Sequence, residues 1–135
     1  MQIVIFKLEN EYFAVKTEGV QSINNIMNIT KVPNAPKYIK GLINLRGSIK
    51  TLIDINLLLN IEQNKTQENI IILDINEEEV GIIVDKVLEV VSIENENLKG
   101  IESESYISGI INYEEKLITI LDIDELIEFN LNDIV

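Results

Sequence analysis

The chain has 135 residues, of which 46% are hydrophobic, and its net charge is −12. This length and apolar content suit a folded domain with a core of its own and exclude wholesale disorder. The sequence contains neither Cys nor His, which excludes thiolate nucleophiles, Ser-His-Asp triads and His/Cys zinc sites, and its acidity argues against binding to nucleic acid or to an anionic membrane surface.

The hydrophobic residues do not form a membrane segment. No apolar run approaches the length of about 20 residues that a membrane helix needs, and "MQIVIFKLEN" has no positive stretch before its apolar run. We therefore expect a cytoplasmic protein without direct membrane insertion.

The charge is unevenly distributed along the chain. Residues 1–61 hold seven Lys/Arg and four Asp/Glu, whereas residues 62–135 hold four and nineteen. One hypothesis is that the two halves meet different partners; the other is that the acidic half merely favours solubility.

The first predicted elements in each half form a β-hairpin. "IVIFKL" (3–8) and "YFAVKT" (12–17) are short β-branched runs separated by three polar residues, and "NIIILDI" (69–75) and "VGIIVD" (80–85) repeat the arrangement. Short runs of this composition with polar turns between them favour strands over helices.

Further matching segments follow in the same order. "VQSI" (20–23) corresponds to "VLEV" (87–90), and "YIKGLINLRGSIKTLIDI" (38–55) corresponds to "YISGIINYEEKLITILDI" (106–123). The last pair, extended to 22 positions, has nine identities. The chain is therefore an internal duplication.

Each copy is predicted to end in a short helix. Asp54 or Asn56 is the expected N-cap in the first copy, and Asp122 or Asp124 in the second, since Asp and Asn before an apolar run are typical helix caps. The alternative, that Asp54 and Asp122 form a functional pair of carboxylates, is less favoured.

The predicted fold is all-β with short helices. Each copy of about 60 residues is expected to carry about five strands and to close into a barrel, and the two barrels to pack over a shared apolar seam. The simple division is 1–61 and 70–135 with the polar connector 62–69; a subdomain of about 12–69 with exchanged terminal elements is the alternative.

No active site is predicted. "DINEEE" (74–79) lacks the glycine and the terminal glutamate of a Ca²⁺ loop, so an acidic hairpin turn is favoured. Gly41 and Gly109 are interpreted as strand glycines at a bulge or a close contact. We expect no enzyme activity, no cofactor and no metal.

One position breaks the duplication. Leu45-Arg46-Gly47 in the first copy is replaced by Tyr113-Glu114-Glu115 in the second. Residues that both copies share serve the frame, and those that diverge are free to serve function. Arg at a hairpin tip can pair with a carboxylate of a partner, or it can be an ordinary solvated side chain.

At this point the sequence resembles a known family. "VPNAPKYIKGLINLRGSIKTLIDI" (32–55) is similar to the signature of the CheW family, the adaptors of bacterial chemotaxis, and "VGIIVDKVLEVVSI" (80–93) and "YISGIINYEEKLITILDIDELI" (106–127) support it in order and spacing. The resemblance covers essentially the whole chain, as a single CheW-like domain over 1–135. It implies two SH3-like five-stranded β-barrels.

The resemblance also implies a function. Members of the family link the cytoplasmic tips of methyl-accepting chemoreceptors to the regulatory domain of the CheA histidine kinase, which shares their fold and pairs with them through barrel ends into rings at the inner face of the membrane. They have no enzymatic activity and need no cofactor. We expect such an adaptor, monomeric when isolated, that controls kinase activity.

The residues of the receptor surface are carried over by motif. Arg46 matches the Arg implicated in receptor coupling, and the resemblance implies nine further residues of the receptor surface. These further residues are the shapers of its strand and turn (Gly41, Asn44, Leu45, Gly47), the nearby segment (Val20, Ser22), and a plausible apolar groove surface (Val84, Val87, Val90). Where relatives usually carry Glu, this chain has Ser22, so the partner of Arg46 is left open.

Other interpretations are kept. The same domain can serve a pathway other than motility, or can belong to a larger kinase or fused adaptor, although the initiator Met before the first strand and the end after the last helix favour a stand-alone protein. A small-molecule binding protein would need a polar cavity between the barrels. Self-association through barrel edges is a further structural alternative.

Overall fold

The computed structural model describes residues 1–63, 66–94 and 104–132. These described residues form ten strands and two α-helices, with a short 3-10 turn at Thr17–Gly19. The elements in chain order are β1 (Gln2–Leu8), β2 (Glu11–Lys16), β3 (Val20–Asn25), β4 (Ile39–Leu45), β5 (Ser48–Ile53), α1 (Ile55–Leu59), β6 (Asn69–Ile75), β7 (Glu78–Val84), β8 (Lys86–Ser92), β9 (Ile107–Tyr113), β10 (Lys116–Leu121) and α2 (Ile123–Asn132).

The strands form two five-stranded sheets of identical topology. One has the order β3-β6-β7-β5-β4 and the other the order β8-β1-β2-β10-β9. We call the first the central barrel, because its strands all lie within 20–84, and the second the terminal barrel, because it joins both ends of the chain. The predicted all-β class with two five-stranded units is confirmed.

Contacts between edge strands close each sheet. In the central barrel, Thr30 follows β3 and exchanges two backbone hydrogen bonds with Leu42 of β4, at N···O distances of 2.9 and 2.8 Å. In the terminal barrel, the Tyr113 hydroxyl of β9 donates to Glu89 Oε1 of β8 at 3.0 Å. The backbone bridge pairs part of the edge of the central sheet, and the side-chain bond holds the two edge strands of the terminal sheet together.

The strands do not divide between the barrels as the two copies do. The central barrel takes the hairpin β6–β7 from the second copy, and the terminal barrel takes β1–β2 from the first. The expectation that each copy forms its own barrel is therefore wrong. The central sheet runs from Val20 to Val84, across the division at 62–69, two residues of which (64–65) lie outside the described residues.

A connector length explains the exchange. Only Asp85 lies between β7 and β8, and a chain reversal needs at least two residues. The chain therefore runs on from the central sheet into the terminal one. The first crossing uses the 3-10 turn at Thr17–Gly19 between β2 and β3.

The apolar runs of the sequence are buried on both faces. In β6, Ile70 and Ile72 face the interior of the central barrel, while Ile71 and Leu73 face a cluster shared by both barrels. That shared cluster also includes residues of β1, β2, β5, β7, β10 and both helices. The predicted apolar seam between the barrels is thus present, and strands buried on both faces account for runs without polar alternation.

Each helix is capped by the first of its two predicted candidates, α1 by Asp54 and α2 by Asp122. The Leu57 N–H donates to Asp54 Oδ1 and the Glu125 N–H donates to Asp122 Oδ1, each at 3.2 Å. Capping by Asp satisfies an otherwise unpaired N–H of the first turn. Asp54 and Asp122 are therefore capping residues.

Asp85 connects three segments at the second crossing. Its Oδ2 accepts from the Glu9 N–H at 2.7 Å, its carbonyl accepts from the Glu68 N–H at 2.9 Å, and its own N–H donates to the Lys7 carbonyl at 3.1 Å. The carboxylate thus holds the β1–β2 turn, where Glu9 has a φ of +55°, against the strand that joins the barrels.

We expect Asp85→Ala to lower the free energy of unfolding by about 1–3 kcal/mol, because the Glu9 N–H loses a charge-assisted hydrogen bond at a buried crossing. Urea unfolding followed by circular dichroism measures the loss. Asp85→Asn keeps an acceptor oxygen and should lose less. Glu78→Ala, at an exposed acidic residue, is the control, and equal effects for Asp85→Ala and Glu78→Ala would contradict the role of Asp85.

Candidate functional site

Arg46 lies at the tip of the β4–β5 hairpin. Arg46 and Gly47 have φ of +54° and +86°, the positive values that a type I′ turn requires at both central positions. Asn44 Oδ1 accepts from the Gly47 N–H at 2.9 Å and locks the turn. Arg46 is exposed and forms no ion pair with any carboxylate of the described residues, so its guanidinium is available to a partner.

The second copy keeps this turn and reverses its charge. Glu114 and Glu115 have φ of +49° and +65°, which is the same backbone conformation. The divergence of the two copies is therefore confined to side chains. The central barrel presents a cation at its hairpin tip, and the terminal barrel presents two anions.

Gly41 has a structural role behind this hairpin. It lies at a bulge between Ile39 and Gly41, as the sequence suggested, and a Cβ placed on it would lie 2.5 Å from the Thr30 carbonyl oxygen and 2.7 Å from Ile29 Cγ2. Gly41 thus permits the close approach that closes the central barrel, while Leu45 packs against the interior cluster of that barrel.

Val20 and Ser22 lie on β3, an edge strand of the central barrel. Val20 is half-buried against the shared cluster, and Ser22 Oγ accepts from Asn24 Nδ2 at 2.9 Å. The Ser22 hydroxyl, which stands where the resemblance leads one to expect a glutamate, is therefore bonded to the neighbouring Asn24 of the same strand. No described contact joins Ser22 to Arg46.

The terminal barrel shows what the equivalent positions do. Glu89 corresponds to Ser22 and Tyr113 to Leu45, and the Tyr113–Glu89 hydrogen bond joins their strands. That bond raises the pKa of the Tyr113 phenol above its ordinary value, with smaller effects from burial and Glu114. Because the barrels share one topology, Ser22 on β3 and Leu45 on β4 occupy the positions that correspond to Glu89 and Tyr113.

The three valines of the second half differ in exposure. Val87 is half-buried against the shared cluster and Val90 is 47% exposed, so both reach the surface along β8. Val84 has 0% of its surface exposed, and its placement in a groove surface is corrected, because the inner face of β7 packs into the shared cluster. Exposed Leu88 and Ile23 add apolar surface to the two edge strands β8 and β3.

Two exposed residues were missed in the sequence. Ile49 and Leu117 occupy equivalent positions next to the hairpin turns of the two barrels, and each is 61% exposed. The available signal was an apolar residue two positions after each turn, in both copies. Each barrel therefore presents a large apolar side chain near its hairpin tip.

A cleft of about 340 Å³ opens at the junction of the barrels. It is lined by the ends of β2, β6 and β10 and the start of α2, and its charged residues are Lys16, Glu18, Asp74, Asp122 and Asp124. Burial, and then the neighbouring carboxylates beginning with Asp122, raise the pKa of Asp124 above its ordinary value. The cleft lies at the edge of the apolar seam and is more polar than the sequence led us to expect.

Two further features bear on function. No helix among the described residues is long and apolar enough to cross a membrane. Within residues 1–63, 66–94 and 104–132, no three acidic side chains come together in a way that could hold a metal ion.

Comparison with known proteins agrees with this architecture. A family model described as CheW-like domain matches residues 2–130. The chain is 30% identical to chemotaxis protein CheW of Klebsiella aerogenes, covering 93% of this chain and 81% of the relative, and 30% identical to chemotaxis protein CheW of Bacillus subtilis, covering 94% and 86%.

A solved structure gives the same result for the fold. The crystal structure of scaffolding protein TtCheW from Thermoanaerobacter tengcongensis matches with a TM-score of 0.84 at 30% identity, covering 93% of this chain and 86% of that one. Both the sequence and the arrangement of strands are therefore shared along nearly the whole chain. The chain belongs to the CheW-like family.

Proposed function

We propose that this protein is a non-enzymatic adaptor of chemotaxis that couples the cytoplasmic tips of chemoreceptors to the regulatory domain of a CheA-type histidine kinase. Relatives that share most of their length with this chain are named chemotaxis protein CheW, and a structural neighbour is a scaffolding protein. The chain would act in the cytoplasm, recruited to receptor arrays at the inner face of the membrane.

The observation that carries the receptor part is the exposed Arg46 on a locked turn, which forms no ion pair with the residues that the structure describes. A guanidinium held on a fixed backbone loses little entropy when it pairs with a carboxylate, and Arg is a favoured anchor at interfaces. Val20, Val87 and Val90, with the exposed Ile23 and Leu88, supply apolar surface on the edge strands for the flank of a receptor helix.

The kinase part is supported by the two barrel ends. Ile49 and Leu117 place one apolar anchor near the hairpin turn of each barrel, and the turns beside them carry opposite charge. Unlike ends suit head-to-tail pairing with a domain of the same fold, which closes into rings when the rotation permits. The uneven charge of the two halves supports the same hypothesis.

An adaptor of this kind acts by geometry. Binding the receptor tip and the kinase at once makes the second encounter local, at a raised effective concentration. Two rigid barrels packed on one shared cluster can then transmit a displacement of the receptor tip to the kinase without any chemistry of their own.

Calorimetric titration with the regulatory domain of a CheA-type kinase tests the proposal. We expect saturable one-to-one binding, and a loss of about tenfold or more in affinity for Ile49→Lys or Leu117→Lys, because a buried apolar anchor becomes a charge. Leu57→Lys, at an exposed leucine of α1, is the control.

The outcomes separate the parts of the proposal. Absence of binding by the unmodified protein would contradict the kinase adaptor. Binding that neither barrel-end variant weakens would leave the adaptor standing and contradict the placement of the kinase contact.

A further inference from the structure

The two barrels leave two equivalent lateral grooves, and the described residues (1–63, 66–94 and 104–132) fill one of them and leave the other open. The filled groove, which we call the linker groove, is bordered by Lys40, Asp54–Asn56 and Asp85, and residues 61–63 and 66–68 cover it. The other is the open cleft described above, where Ser108 corresponds to Lys40 and Asp124 to Asn56.

The contacts in the linker groove show how an extended segment binds there. Asn56 Nδ2 donates to the Glu62 carbonyl at 3.1 Å, and Gln67 Nε2 donates to Asn56 Oδ1 at 3.4 Å. Lys40 Nζ donates to Gln67 Oε1 at 3.3 Å, and the Glu68 N–H donates to the Asp85 carbonyl at 2.9 Å. Asn56 is almost completely buried and uses both atoms of its amide.

The open cleft keeps the position of Asn56 but not its partners. Asp124 Oδ1 is buried and accepts no hydrogen bond from any described residue. A buried oxygen without a donor is unfavourable, because it has lost its hydrogen bonds to water. A ligand that brought a donor to Asp124 would recover this free energy, just as Gln67 serves Asn56.

The path of the chain explains why the described residues leave this cleft open. After α1, Asn60 adopts a left-handed conformation, with φ of +57° and ψ of +44°, and turns the chain back over the linker groove. The corresponding residue of the second copy, Glu128, lies inside α2, which continues to Asn132. Up to Asn132, the chain is therefore carried past the cleft instead of into it.

The charges differ between the two grooves in a consistent direction. Replacing Asn56 by Asp124 and Lys40 by Ser108 adds an anion and removes a cation. Among its described lining residues, the open cleft also contains three more carboxylates, Glu18, Asp74 and Asp122, and a single cation, Lys16, so it favours a cationic occupant. In the linker groove, by contrast, the uncharged amide of Gln67 bonds to Asn56.

We propose that the open cleft binds an extended segment of a partner polypeptide, and that a lysine or arginine of this segment donates to Asp124 as Gln67 donates to Asn56. The volume of about 340 Å³ is at the lower end of the range of about 300–1,000 Å³ that is usual for binding pockets. This site is separate from Arg46 and the barrel ends, so it does not depend on the proposed adaptor function.

The probe is a synthetic octapeptide with the order of residues 61–68, amidated and acetylated, with glutamine at both glutamate positions and lysine at the position of Gln67. Titration into the ¹⁵N-labelled full chain should give one-to-one binding and shift the amide signals of Asp74, Ser108 and Asp124. We expect Asp124→Asn to weaken binding about tenfold, because a charge-assisted hydrogen bond becomes a neutral one.

Matched controls make the result specific. Asp124→Asn is compatible with the fold, since Asn56 occupies the equivalent position, and Glu115→Gln removes one charge from an exposed turn and should leave the affinity unchanged. A peptide that retains glutamine at the position of Gln67 should bind more weakly than the lysine peptide. No binding, shifts outside the cleft, or equal affinities for the unmodified protein and Asp124→Asn would overturn the proposal.

Discussion

Arg46→Ala is expected to weaken binding of a chemoreceptor cytoplasmic tip by about tenfold to a hundredfold, as removal of an interface arginine costs about 1–3 kcal/mol when it is a principal anchor. The fold should be retained within about 0.5 kcal/mol, because Arg46 is exposed, makes no described ion pair and is replaced by another residue with a Cβ at the same positive φ. Calorimetry with a soluble receptor-tip fragment measures the binding, and urea unfolding measures the stability.

The second copy supplies the matched control. Glu114→Ala changes the equivalent residue of a turn with the same conformation and should leave receptor binding unchanged. Arg46→Lys keeps the charge but loses the planar two-pronged donor, so its affinity should fall between those of Arg46 and Ala. Loss of folding in Arg46→Ala, or equal effects of the Arg46 and Glu114 changes, would contradict the receptor assignment.

Gly41→Ala is expected to lower the free energy of unfolding by about 2–4 kcal/mol, a large part of the total for a domain of this size. The added Cβ would lie 2.5 Å from the Thr30 carbonyl oxygen, and the Thr30 backbone cannot move away without breaking its two hydrogen bonds to Leu42. The added methyl group would therefore disrupt the Thr30–Leu42 backbone pair that joins the two edges of the central barrel. Urea unfolding followed by circular dichroism measures the loss.

Gly19→Ala is the control for this prediction. Gly19 lies in the 3-10 turn between the barrels, and a Cβ there would meet nothing within 4 Å. The free energy of unfolding of Gly19→Ala should be unchanged or raised by about 0.4–1 kcal/mol, because alanine lowers the conformational entropy of the unfolded chain. If Gly41→Ala is as stable as Gly19→Ala, the close approach to Thr30 is not a constraint on the fold.

These two predictions separate the roles within one motif. Arg46 is expected to act on a partner, while Gly41 acts on the barrel that carries the hairpin and Asn44 on the turn itself. A receptor-binding defect in a Gly41 variant would therefore report a disturbed hairpin. Measuring stability alongside binding distinguishes the two causes.

Local features were predictable because they rest on short-range chemistry. Short β-branched runs separated by polar turns identified the first hairpin of each copy, and Asp before an apolar run identified the caps of α1 and α2. Of the receptor residues, the exposed turn at Arg46 was foreseen, whereas the burial of Val84 was not, because an apolar run does not show which of its residues faces a neighbouring barrel.

The sequence by itself determined the duplication, the strands, the helix caps and the single turn at which the two copies diverge in charge. The tertiary structure alone decided how the strands are shared: the one-residue connector at Asp85 cannot reverse the chain, so each barrel combines a hairpin of one copy with three strands of the other. The same distinction applies to the grooves. Residues 61–63 and 66–68 cover one groove, and the described part of the chain leaves its counterpart open, because Asn60 turns the chain back while α2 continues to Asn132. Which groove a polar segment covers depends on contacts between residues far apart in the sequence.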